Sequence, residues 1–149
     1  MLIINDVNKV QKFIEAKLLG GQLDCFNVYS SLVQICFFLS PSSQGLNSIW
    51  VSSLEKLSIL DTVGVKFGLP QIFDKLYEMI GEKIVGVSVT RRGILEISTS
   101  AGKIFASGGE HIYEASWYIT PSSPEQFGNQ EWSVNFTEEC DLILNSDNQ

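Results

Sequence analysis

His111 is the only histidine in the chain, and it stands beside Glu110 and three positions before Glu114. A carboxylate can orient an imidazole for acid-base work near neutral pH. No second base or nucleophile accompanies it in a recognisable motif, and it follows Gly108-Gly109, so an exposed loop histidine is the simpler expectation. Three cysteines, Cys25, Cys36 and Cys140, lack C-x-x-C spacing. With one histidine they make no zinc cluster, and their odd number suits free thiols in a reducing compartment. The pairs Gly20-Gly21 and Gly108-Gly109 match no phosphate-cradling pattern, so neither metal nor cofactor is expected.

Charge is more informative than these motifs. Positions 1–103 hold 9 acids and 10 bases, whereas 104–149 hold 8 acids and no Lys or Arg, so the net charge of −7 belongs to the last third. Such a field repels nucleic acid and anionic membrane and attracts basic protein surfaces. A solvated face that aids solubility is the alternative. Arg91-Arg92 is too small a basic patch to suggest a nucleic-acid site. Between His111 and Tyr118 aromatic residues alternate with carboxylates, which suits an Arg-rich partner through ion pairs and ring stacking. Glu110, Tyr113, Glu114, Trp117 and Tyr118 are therefore the candidate partner-binding residues. Trp50, Trp117 and Trp132 are also large enough to anchor a core, which is the more frequent place for tryptophan.

Periodicity predicts the helices and strands that carry these residues. Val7, Val10, Ile14 and Leu18 recur at helical spacing, with Asn5 or Asp6 as cap and Gly20 as stop. Leu69, Ile72, Phe73, Leu76 and Ile80 predict a second helix of similar length, with Pro70 in its first turn and Gly81 as stop. A hairpin follows each. Strands over 23–29 and 32–39, joined at Ser30-Ser31, place Phe26 opposite Ile35, Val28 opposite Val33 and Cys25 opposite Cys36. Strands over 83–90 and 94–99 flank the three-residue loop Arg91-Arg92-Gly93, placing Val87 opposite Ile97 and Val89 opposite Leu95. A similar loop at Ser100-Ala101-Gly102 predicts a third strand over 103–107 with Phe105 opposite Ile97. Short strands are expected over 115–120 and 131–137, and a frayed tail from Asn145.

The expected fold is thus α+β, one domain over 1–149, built from two helix-plus-antiparallel-meander halves at about 5–60 and 68–120. Corresponding residues sit 61 or 62 positions apart, through internal duplication or through coincident periodicity. The start of the chain has no basic, apolar leader, and the run Leu32–Leu39 is too short to span a bilayer, so a cytoplasmic location without membrane contact is expected.

The run Gly81-Glu82-Lys83-Ile84-Val85-Gly86-Val87, then Leu95-Glu96-Ile97, Gly102-Lys103-Ile104 and Tyr113-Glu114-Ala115-Ser116-Trp117, resembles bacterial immunity proteins of contact-dependent growth inhibition and other polymorphic-toxin systems. The resemblance covers about a quarter of the chain. It implies a non-enzymatic, cytosolic inhibitor that binds one cognate toxin domain, and a nuclease toxin, which must bind a polyanion, is expected to be basic. The other readings are a regulatory interaction module and a small enzyme or ligand-binding domain with a pocket near His111.

Overall fold

The computed structural model describes residues 2–30, 32–42, 45–53, 56–107, 116–121, 132–137 and 139–146. In chain order the elements are β1 (Leu2–Ile4), α1 (Val7–Leu18), β2 (Gln22–Val28), β3 (Val33–Ser42), β4 (Gly45–Ser53), β5 (Lys56–Asp61), β6 (Lys66–Phe67) and α2 (Ile72–Met79). They continue as β7 (Ile84–Val89), β8 (Leu95–Thr99), β9 (Gly102–Ser107), β10 (Trp117–Thr120), β11 (Trp132–Phe136) and β12 (Leu142–Ser146). The architecture is α+β with sheet dominant: a seven-stranded sheet ordered β1-β12-β11-β10-β4-β3-β2 and a five-stranded sheet ordered β6-β5-β9-β8-β7.

Of the two possible caps for α1, Asp6 is the one used: its Oδ1 accepts from the N–H groups of Asn8 and Lys9 at 2.9 and 3.1 Å. Val10, Ile14 and Leu18 are buried along one face. The second helix is shorter than its periodicity predicts. Pro70 lies in a turn ahead of it, and the helix begins at Ile72, whose N–H donates to the Gly68 carbonyl. Ile72, Leu76 and Met79 face the core. A single apolar cluster runs through both sheets and both helices.

Both sequence-read hairpins have the expected pairs: Cys25 with Cys36, Phe26 with Ile35, Val28 with Val33, Val87 with Ile97 and Val89 with Leu95. The third strand does not. Gly102 is already paired with Thr99, so Ser100-Ala101 is a two-residue loop and Ile104, not Phe105, stands opposite Ile97. A one-residue slip exchanges faces: Ile104 is buried in the core and Phe105 is turned outward. Any Cβ at Gly102 would meet the Leu60 carbonyl oxygen of β5 at 2.8 Å, which accounts for glycine at this point of the ladder. The tail is likewise not frayed through Ser146, since Asn145 pairs with both Ser133 and Ile3 inside the larger sheet. The two short strands begin at Trp117 and Trp132 within the described residues.

The two sheets repeat one order. Reading inward from β2, the larger sheet runs β2-β3-β4 and then β10-β11; reading inward from β7, the smaller runs β7-β8-β9 and then β5-β6. Each meander is therefore continued by two strands from elsewhere in the chain, while β12 and β1 beyond β11 have no counterpart in the smaller sheet. Both first strands carry a bulge at matching places, between Leu23 and Cys25 and between Ile84 and Gly86. Where the halves meet, Gln22 bridges Lys83, 61 positions on. Around that bridge Leu23 N–H donates to Glu82 O (2.9 Å) and Ile84 N–H to Gly21 O (2.7 Å), while Gly20 N–H donates to Ile84 O (3.0 Å) and Gly81 N–H to Leu23 O (2.8 Å). Each bond is mirrored by its partner at the 61-residue offset, which is the pattern of a local two-fold axis.

Candidate functional site

Of the five residues expected to meet a partner, Glu110, Tyr113 and Glu114 lie outside the described residues, as does His111. Trp117 has no exposed surface. Its ring lies nearly parallel to Phe136, with centroids 6.4 Å apart, and its Nε1–H donates to the Gly93 carbonyl at 2.8 Å. The side chain expected as a surface anchor is instead a core residue that ties β10 to the tip of the β7–β8 hairpin. Even period along Trp117-Tyr118-Ile119 sends Tyr118 to the opposite face, where it is half-buried.

That face of the larger sheet, opposite Trp117, is uncharged over its centre, and Gln34, Cys36, Ser52 and Thr120 on it are buried. Asn27, Gln34, Ser52, Tyr118 and Asn135 follow one another across five strands, and Cys25, Cys36, Trp50 and Thr120 form the neighbouring row. The bulge at β2 brings Asp24 beside the cysteine pair, and donor atoms of Asp24, Cys25 and Cys36 all lie within 4.8 Å of one another. Burial, then the neighbouring Cys25, pushes the Cys36 thiol up to about 12; burial, then Asp24, also raises Cys25. Both shifts oppose thiolate chemistry near neutrality. Cys140 is exposed on the β11–β12 turn.

A different concavity lies on the outer face of the five-stranded sheet. It is an open cleft of about 380 Å³ lined by Ser58, Leu60, Lys66, Ile94, Phe105 and Ser107. Lys103 and Glu96, also on this face, pair at 3.4 Å, and Ser88 donates to Glu96 at 3.0 Å. The cleft depends on the one-residue shift of β9 that turns Phe105 outward and on β5, whose alternation of buried Leu57 and Ile59 with outward Lys56 and Ser58 is a legible strand signal in the sequence. Arg91 and Arg92 are exposed at the hairpin tip, while Gly93 beside them is buried.

No protein-family model, curated protein or solved structure matches this chain. Among the described residues, no helix is long and apolar enough to cross a membrane.

Proposed function

We propose that this protein is a non-enzymatic inhibitor of the immunity-protein type, which neutralises a basic bacterial toxin domain by binding it in the cytosol. The observation that carries the reading is the segregation of charge: 8 acids and no Lys or Arg in positions 104–149 against near neutrality before them. Such a field speeds encounter with a basic surface and disfavours nucleic acid. Glu110, Tyr113, Glu114 and Tyr118 are the contacts proposed for that surface, with Trp117 supporting them from the core. The decisive experiment is co-expression with the protein encoded immediately upstream. Growth rescue, a one-to-one complex by size-exclusion chromatography and an association rate that falls with salt are expected; absence of a complex would overturn the inhibitor reading.

We also propose that the two halves, about 5–60 and 68–120, arose by duplication within one domain. Support comes from the repeated strand order, the matching bulges and the mirrored hydrogen bonds about Gln22 and Lys83. A second functional reading, a ligand-binding domain, is favoured by the cleft beside Lys66 and Phe105, whose apolar lining and single lysine suit an amphipathic anion. Saturable binding of a medium-chain fatty acid by calorimetry, lost in Phe105→Glu, would support it.

A further inference from the structure

The two meanders each end in an edge strand, β2 in the larger sheet and β7 in the smaller, and the edges differ in one respect. At β7 the backbone groups that face away from β8 are used: Gln11 of α1 donates through Nε2 to Val87 O and accepts through Oε1 from Val89 N–H, both at 2.7 Å. A side-chain amide thus stands where a neighbouring strand would, and blunts the edge. The corresponding groups of β2, at the 61-residue offset, are Phe26 O and Val28 N–H. They also face away from their partner strand, because Tyr29 N–H donates to Leu32 O and hydrogen-bonded and non-bonded pairs alternate from there. On α2 the position 61 residues after Gln11 is Ile72, which is fully buried and has no amide to offer. Among the described residues nothing bonds to Phe26 O or Val28 N–H from the open side.

The surroundings of this edge are apolar and exposed. Val28 is 53% exposed and Tyr29 is exposed with it. Phe73 of α2 stacks on Phe26, with rings 8° from parallel and centroids 6.2 Å apart. Tyr77, 71% exposed, lies one helical turn beyond Phe73, and exposed Ile80 follows as the cap of α2, toward the end of β2 where Gly81 N–H donates to Leu23 O. Exposed Tyr29 and the Phe26–Phe73 stack beside an unpaired backbone donor and acceptor have the composition of a strand-addition site, in which main-chain bonds hold an extended segment and alternate side chains fill an apolar strip. Exposed Asp24 of β2 and Asp74 of α2 form no ion pair among the described residues. They favour a segment carrying Lys or Arg, and they disfavour a second copy of this acidic chain.

We propose that the open stretch of β2 at Phe26 and Val28, with the apolar strip that Phe73 and Tyr77 of α2 present along it, receives an extended basic segment of a partner protein, which adds as a strand beside β2. This takes the partner's basic character from the inhibitor reading; the strand-addition geometry stands independently of it. The probe is a fluorescein-labelled peptide of alternating valine and lysine, compared with its valine-glutamate counterpart. Val28→Pro deletes an outward N–H and keeps an apolar side chain on an edge strand, where proline is tolerated. It is expected to weaken binding of the lysine peptide about tenfold, as is Tyr77→Ala, and the glutamate peptide is expected to bind at least about tenfold more weakly than the lysine one. Amide exchange in the wild-type chain gives a readout free of mutation: Val28 exchanges fast alone and slows with the lysine peptide, whereas Val89, held by Gln11, is slow in both. Unchanged Val28 exchange, equal binding of both peptides, or a dimer by sedimentation in which Val28 is protected would each overturn the proposal. Growth rescue by Val28→Pro equal to that of the wild type would also remove this site while leaving the inhibitor reading intact; failure of the wild type to rescue, with the peptide results as expected, would do the reverse.

Discussion

Gly93→Ala tests the join between the two sheets. Gly93 has φ +86°, and a Cβ built on it would lie 2.5–2.6 Å from three ring atoms of Phe136 in β11. A left-handed backbone costs an L-residue about 1–2 kcal/mol, and forcing extra volume into a close-packed site adds about 1–3 kcal/mol. The sum, about 2–5 kcal/mol, is a large part of the roughly 5–15 kcal/mol that holds a domain folded. Gly64 separates the two effects, because it has a similar φ of +91° but a Cβ added there would meet nothing within 4 Å. Urea unfolding of Gly93→Ala, Gly64→Ala and the wild type should show both variants destabilised, with the Gly93 variant lower by about the overpacking contribution and with unchanged m-value. In a Phe136→Leu background the Gly93 substitution should lose less, since the smaller side chain yields space. Equal destabilisation at Gly93 and Gly64 would refute the packing of the hairpin tip against Phe136.

Other expectations concern the edge, the cap, the thiols and the acidic third. Gln11→Ala removes two hydrogen bonds to the β7 edge and should lower stability by about 1–3 kcal/mol while accelerating Val89 amide exchange. Asp6→Ala should remove about 1 kcal/mol through loss of the α1 cap, and Asp6→Asn should retain most of it, by thermal unfolding. Cys36 has its folded pKa raised from 9.0 to about 12, so its contribution to stability is complete below about pH 9 and is lost as pH rises toward 12. In the native chain at about pH 8, iodoacetamide followed by mass spectrometry should label exposed Cys140 first and Cys36 last. Charge reversal at Glu110 and Glu114 should slow association with a basic partner and reduce its salt dependence, with a loss of about 1–3 kcal/mol if either carboxylate is desolvated. Reversal at Asp147 serves as control; equal, negligible effects at all three would assign the excess charge to solubility.

Local structure was legible in the amino-acid sequence. Helix α1, its stop, and the pairings of Phe26 with Ile35 and Val87 with Ile97 follow from spacing within a few residues, since a short loop leaves an apolar alternation few registers. The same alternation misled at β9, where a three-residue and a two-residue loop are both compatible with Ser100-Ala101-Gly102 and only the close approach of β5 at Gly102 decides between them. Which distant strands pair was not legible at all: β10 beside β4, β5 beside β9 and β12 beside β1 join segments whose period of two is identical and names no partner. Burial of Trp117 was decided in the same way, because an indole beside Tyr118 can face either side until β11 and the tip at Gly93 supply a ring and a carbonyl for it. The contrast between a β7 edge closed by Gln11 and an open β2 edge arises only when the chain's two halves are folded against one another: Gln11 meets its carbonyl and amide partners 76 and 78 positions away, a distance at which no sequence periodicity couples one residue to another.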